Sequence, residues 1–125
     1  RDLTAANFTN CIIDGNNNIE FIPDRVDGSI FNFNVSNSLI KFTDVNDSFV
    51  GVAEVDFTDT SLYQNIIING FPHFRNRNLN DFIIGQDSEA INIANATGAS
   101  LVPLDILEIM RTMNPDAGAY QHINF

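Results

Sequence analysis

Three blocks of this sequence align without gaps: FTNCIIDG at residues 8–15, VSNSLIKF at 35–42 and YQNIIING at 63–70. Their asparagines fall at Asn10, Asn37 and Asn65, offsets of 27 and 28 residues. Two positions earlier stand Phe8, Val35 and Tyr63, and directly after come Cys11, Ser38 and Ile66. The apolar pairs Ile12–Ile13, Leu39–Ile40 and Ile67–Ile68 follow. Asn is the most frequent residue here, so aligned asparagines alone carry little weight; the shared flanks make chance a poor explanation. A repeat of this length suits stacked turns of chain, each adding short strands whose equivalents lie in parallel about 4.8 Å apart.

The expected fold is therefore all-β: a right-handed parallel β-helix (solenoid) segment of about three coils with a C-terminal cap, a β-sandwich being the alternative. Residues 1–125 read as a single domain, with stacked coils over 1–70 and the last coil and cap over 71–125. FNFNV (Phe31–Val35) alternates as a strand with one buried face should, whereas NCII and NIII break alternation and suggest a corner. Asn tolerates the left-handed backbone such a corner requires, and stacked Asn amides can bond one another. Asn10, Asn37 and Asn65 are expected to form an asparagine ladder of this kind. Polar stretches such as DGNNN, PDRVDGS and TDVNDS supply loops of unequal length between the blocks.

The C-terminal third departs from the repeat. A strand is expected at Asp81–Ile84. Ile106, Ile109, Met110 and Met113 have helical spacing behind Pro103, which predicts a short helix over Leu104–Met113. That stretch is placed to cover the open apolar end of a stack.

Bulk properties narrow the partners. The formal charge is −10 and Lys41 is the only lysine, so an electrostatic grip on nucleic acid or anionic lipid is disfavoured. No apolar stretch approaches a membrane span. Cys11, the only cysteine, excludes an internal disulfide and reads as a small core residue. The opening RDLTAANF carries no Met and is already patterned, which suggests a mature or trimmed piece of a longer polypeptide.

The chain closes on NPDAGAYQ (Asn114–Gln121). Read with the earlier pieces, this resembles the C-terminal end of secreted right-handed parallel β-helix proteins of Bacteroidetes type, whose ending runs F-x-N-C-x-I, then P-x-F-x-N…D-F-x-L…S-P-A-I-D-A-G, then D-I-x-G…R…P-D-I-G-A-Y-E. Asn10 and Cys11 match the first element; Pro72, Phe74, Asn76, Asp81 and Phe82 match the second. Asp105, Ile106, Arg111, Pro115, Asp116, Gly118, Ala119 and Tyr120 match the third. Glu89, Asn92, Glu108 and Gln121 depart from it. The resemblance implies export to the periplasm, cell surface or medium, and an association with polysaccharide-degrading systems. Some relatives are polysaccharide-lyase-like, but the matched motifs belong to closure of the fold. Gly118 and Ala119 permit close backbone approach, Tyr120 can cover apolar surface, and Arg111 is expected to bond the carboxylate of Asp105 or Asp116.

Candidate chemistry is thin. A lyase acting on acidic polysaccharide needs a base and a cation against the substrate carboxylate. His73, Arg75 and Arg77 in HFRNRN form the densest such group, and alternation places them on one face of an extended segment, where they are the candidate ligand-binding residues. Asp44, Asn46 and Ser48 imitate the opening of a calcium loop, but the glycine such a loop needs is missing, so no cofactor is expected beyond this weak calcium candidate. The functional expectation is a structural scaffold, with a possible carbohydrate-binding surface, in a secreted or cell-surface protein. The alternative is the end of a polysaccharide lyase or other carbohydrate-active enzyme whose active site lies mainly upstream. The exposed N-terminal coil offers an edge to other protein chains of a surface complex.

Overall fold

The computed structural model describes residues 2–125. Each repeat contributes a strand, an asparagine corner and a second strand. The first strands are β1 (Leu3–Thr9), β3 (Phe31–Ser36) and β5 (Tyr63–Gln64); the second are β2 (Ile12–Ile13), β4 (Leu39–Ile40) and β6 (Ile67–Ile68). They form two parallel three-stranded sheets in the orders β1-β3-β5 and β2-β4-β6. Phe8 pairs with Val35 and Val35 with Tyr63; Ile12 pairs with Leu39 and Leu39 with Ile67. The repeat equivalences are thus the register of both sheets.

The corners explain the asparagine content. Asn10, Asn37 and Asn65 have φ of 60°, 49° and 52°. Ten described non-glycine residues have positive φ and seven of them are Asn, the residue that reaches this region most cheaply after glycine. Each corner turns the chain between the two sheets while keeping its backbone bonded: Asn10 N–H donates to Ser36 O at 3.2 Å and Asn37 N–H to Gln64 O at 2.9 Å.

Inside the bend lies a column of rings. Phe8 meets Phe21 edge-on at 5.7 Å, Phe33 meets Tyr63 at 5.8 Å, and Tyr63 meets Phe57 at 4.8 Å. Val35 and Ile40 are fully buried beside them. Tyr63 donates its hydroxyl to the Glu54 carbonyl at 2.5 Å, and burial, with Glu54 nearby, pushes its phenol up to about 12.

Leu39 faces the other way. It packs against Ile84, Ala90 and Ala117, with Ile12, Phe74 and Ile93 alongside. The β2-β4-β6 sheet is therefore covered on both faces, and this is why its strands read as apolar pairs rather than as an alternation. The covering layer is the C-terminal third. β7 (Phe74–Asn76) and β8 (Asp81–Ile84) form a separate antiparallel pair, and α1 (Ala96–Leu101) is the only α-helix among the described residues.

The β-helix expected from the repeat is corrected by this arrangement, and so is the β-sandwich alternative. The strands form three small sheets, and no closed or solenoid sheet is found among the described residues. Residues beyond the third repeat add no strand to either three-stranded sheet. They turn and pack along the side of the repeats, because Ile12 and Leu39 present a second apolar surface there. The helix expected over Leu104–Met113 is absent too. Asp105 holds that segment in a tight loop, its Oδ1 accepting from Leu107 N and Ile109 N at 2.8 Å each, and Glu108 sits at φ 63°. Ile106, Met110 and Met113 point outward, with Leu101 and Val102. Their helical spacing carries no packing.

Candidate functional site

The corner asparagines do not bond one another. Asn10 Nδ2 donates to Asn95 O at 3.1 Å while Asn10 Oδ1 accepts from Asn95 N at 2.5 Å, a two-way clasp across 85 residues of sequence. Asn37 Nδ2 donates to Ile93 O at 2.9 Å. The ladder expectation is corrected accordingly. A side chain leaving a left-handed corner projects sideways, and here it meets the backbone of residues 93–95 rather than the amide in the next layer. No side-chain bond from Asn65 occurs among those described. Asn95 also caps α1, its Oδ1 accepting from Gly98 N at 3.0 Å, so one residue joins the helix to the first corner.

The closing phrase completes this attachment. Gly118 N donates to Asn10 O at 2.8 Å, and Gly118 has φ 94°. A Cβ at that position would lie 2.8 Å from Ile12 Cδ1, so glycine serves both the turn and the close approach. Asp116 is fully buried. Its carboxylate accepts from Asn92 N at 2.9 Å, His122 N at 2.7 Å and His122 Nδ1 at 2.8 Å. Asp116 N in turn donates to Gln121 Oε1 at 2.8 Å, and Gln121 N donates to Asp105 Oδ2 at 2.8 Å. Two buried carboxylates thus hold three chain segments through backbone amides.

Arg111 is buried in this network but binds neither carboxylate. Its Nη2 donates to the carbonyls of Asp116 at 2.9 Å and Gly118 at 2.6 Å, and its Nε has no partner among the described residues. The expected Arg111–Asp105 or Arg111–Asp116 ion pair is replaced by charge-assisted bonds to carbonyls, since local backbone amides already occupy both carboxylates. Tyr120 is half-buried, with no hydroxyl bond among those described.

His73, Arg75 and Arg77 do not form a shared cationic face. His73, at φ 47°, precedes the extended run; its ring lies against Phe71 and Phe125, and its Nδ1 accepts from Asp87 N at 3.2 Å. Arg75 Nε pairs with Asp81 at 2.6 Å across the β7–β8 hairpin. Arg77 turns the other way, over the Phe74 ring at 5.6 Å, to pair with Asp14 and donate to Gly15 O at 3.2 Å. Each charge is matched locally. A cavity of about 280 Å³ beside this pair is lined by Ile12, Phe74, Phe82 and Gly118, with Asp14 as its only ionisable group.

The remaining candidates are also engaged. The carboxylate of Asp44 accepts from Ser48 N and Phe49 N, the geometry of a turn, while Asn46 contributes no bond to it among those described. Cys11 is half-buried, and burial raises its thiol pKa, the opposite of what a reactive thiolate requires. No helix among the described residues is long and apolar enough to cross a membrane. The Asp14–Arg77 and Asn10–Asn95 contacts had no signature in sequence spacing. Comparison with family models, with curated proteins and with solved structures finds no match to this chain.

Proposed function

We propose that the chain is a non-catalytic structural scaffold within a secreted or cell-surface protein. The observation that supports it most directly is the use made of the charged side chains. Arg75, Arg77, Arg111, Asp14, Asp105 and Asp116 each hold one part of the chain to another. A lyase centre needs a base and a cation facing open space; a scaffold needs its charges matched internally. The extracellular setting draws on the resemblance of residues 114–121 and on the net acidic charge.

The test is a turnover and binding assay on acidic polysaccharides. Unsaturated-sugar absorbance and titration calorimetry with the whole chain are expected to show neither product nor saturable heat. An unsaturated product that disappears in His73→Ala or Arg77→Ala would overturn the proposal and restore the carbohydrate-active reading.

A further inference from the structure

Arg111 differs from the other described arginines. Arg25, Arg75 and Arg77 each meet a carboxylate, whereas Arg111 meets none among the described residues. It is nonetheless the one buried cation among them, 8 % exposed. A guanidinium carries five N–H groups and no acceptor. The two on Nη2 go to the carbonyls of Asp116 and Gly118; Nε is buried without a partner, and Nη1 makes no bond among those described. Taking such a charge out of water is costly unless an opposite charge and a full set of hydrogen bonds compensate, and two neutral carbonyls supply only part of this. Arg111 also forms one wall of a cavity of about 180 Å³ where three segments meet: Thr9 and Asn10 of the first corner, Ala99 and Val102 at the end of α1, and Gly118 of the closing phrase. None of its described lining residues is acidic.

We infer that this cavity binds a small carboxylate, a short-chain organic acid whose oxygens take the Arg111 N–H groups that the two carbonyls leave free. The walls set the class. The guanidinium supplies the charge, and its planar fork of donors matches a planar carboxylate. Protein carboxylates do not take that place, because Asp105 and Asp116 are committed to backbone amides. Ala99 and Val102 offer apolar surface to a short hydrocarbon tail, which sulfate or phosphate leaves unused. Asn10 is already engaged with Asn95 and Thr9 with Ser36, so neither side chain competes for Arg111. The volume admits a molecule of a few non-hydrogen atoms. The inference goes beyond the scaffold reading and involves no turnover. Capture of a small acid and turnover of polysaccharide are measured separately, so either can fail without the other.

The experiment titrates the whole chain, labelled with nitrogen-15, with sodium propanoate at constant ionic strength and follows the Arg111 Nε–H resonance. A saturable shift is expected, half-complete at about 1 mM, since so small a ligand supports only weak affinity. Propanamide, similar in shape but uncharged, is expected to produce none. Sulfate, and glucuronate with the same group on a sugar ring, are expected to bind about tenfold or more weakly. Arg111→Met is expected to abolish propanoate binding, read by calorimetry. That substitution also removes two structural bonds, so the second variant is Val102→Phe. It narrows the cavity from an exposed wall position and leaves the Arg111 bonds in place. It is expected to weaken binding about tenfold with the unfolding midpoint of the free chain unchanged. A shift that does not saturate, an equal response to propanamide, or unchanged binding in Val102→Phe overturns the inference. Tighter binding of sulfate or glucuronate than of propanoate overturns it as well, because the ligand is then not a short-chain acid.

Discussion

Replacing Asp116 with Ala is expected to destabilise the chain by about 3 kcal/mol or more in urea unfolding, among the largest effects of any polar substitution here. The carboxylate is fully buried and accepts three hydrogen bonds, two from backbone amides of segments on opposite sides of it. Truncation removes the acceptor of both Asn92 N–H and His122 N–H at part-buried positions, and each donor left orphaned costs about 1–3 kcal/mol. Asp116→Asn retains one acceptor oxygen but turns an amide group toward a donor, so an intermediate loss is expected. A loss below about 1 kcal/mol for the Ala variant would mean that residues 114–122 are not held as described.

Leu39→Ala is the second large effect, about 2–5 kcal/mol, as for other fully buried leucines. Leu39 is 0 % exposed and lies where the β2-β4-β6 sheet meets Ile84, Ala90 and Ala117. Two of those neighbours are alanines, which are too short to collapse into the vacated space. Most of the cavity should persist, placing the loss in the upper part of that range. Ile106→Ala, at one of the exposed residues on the 104–113 loop, is the contrasting substitution and should change stability by no more than about 0.5 kcal/mol. Chemical-denaturation midpoints of the two variants, read side by side, check both expectations.

The contrast between Leu39 and Ile106 also marks what the sequence conveyed and what it withheld. The equivalence of Phe8, Val35 and Tyr63 was legible because repeated local chemistry demands repeated local pairing. The strand at Asp81–Ile84 was legible for a similar reason, as a short apolar run bounded by turn residues. The solenoid was not a safe extension of the repeat. Apolar pairs such as Leu39–Ile40 fit a corner between sheets, but they equally fit a sheet covered on both faces, and spacing alone does not separate these. The C-terminal attachment was invisible. It depends on Asn10 meeting Asn95 and Asn37 meeting Ile93, contacts 85 and 56 residues apart with no motif to announce them. The helix over 104–113 failed because Asp105 claims the amides of Leu107 and Ile109, a competition that apolar periodicity does not register. At the candidate site, Arg111 was expected to bond the carboxylate of Asp105 or Asp116, but its partners are the carbonyls of Asp116 and Gly118, a choice that residue type and spacing do not register. The alternation of His73, Arg75 and Arg77 promised one face; positive φ at His73 and the pull of Asp14 on Arg77 disperse it.

The central claim is that the C-terminal third lies along the side of two parallel sheets, with Leu39 at the contact. Methyl nuclear Overhauser effects from selectively labelled Leu39, Ile84, Ala90 and Ala117 test this directly. The expected result is strong cross-peaks from the Leu39 methyls to Ala90, Ala117 and Ile84. Cross-peaks from Leu39 confined to residues of the first 70, with none to that alanine pair, would contradict the account.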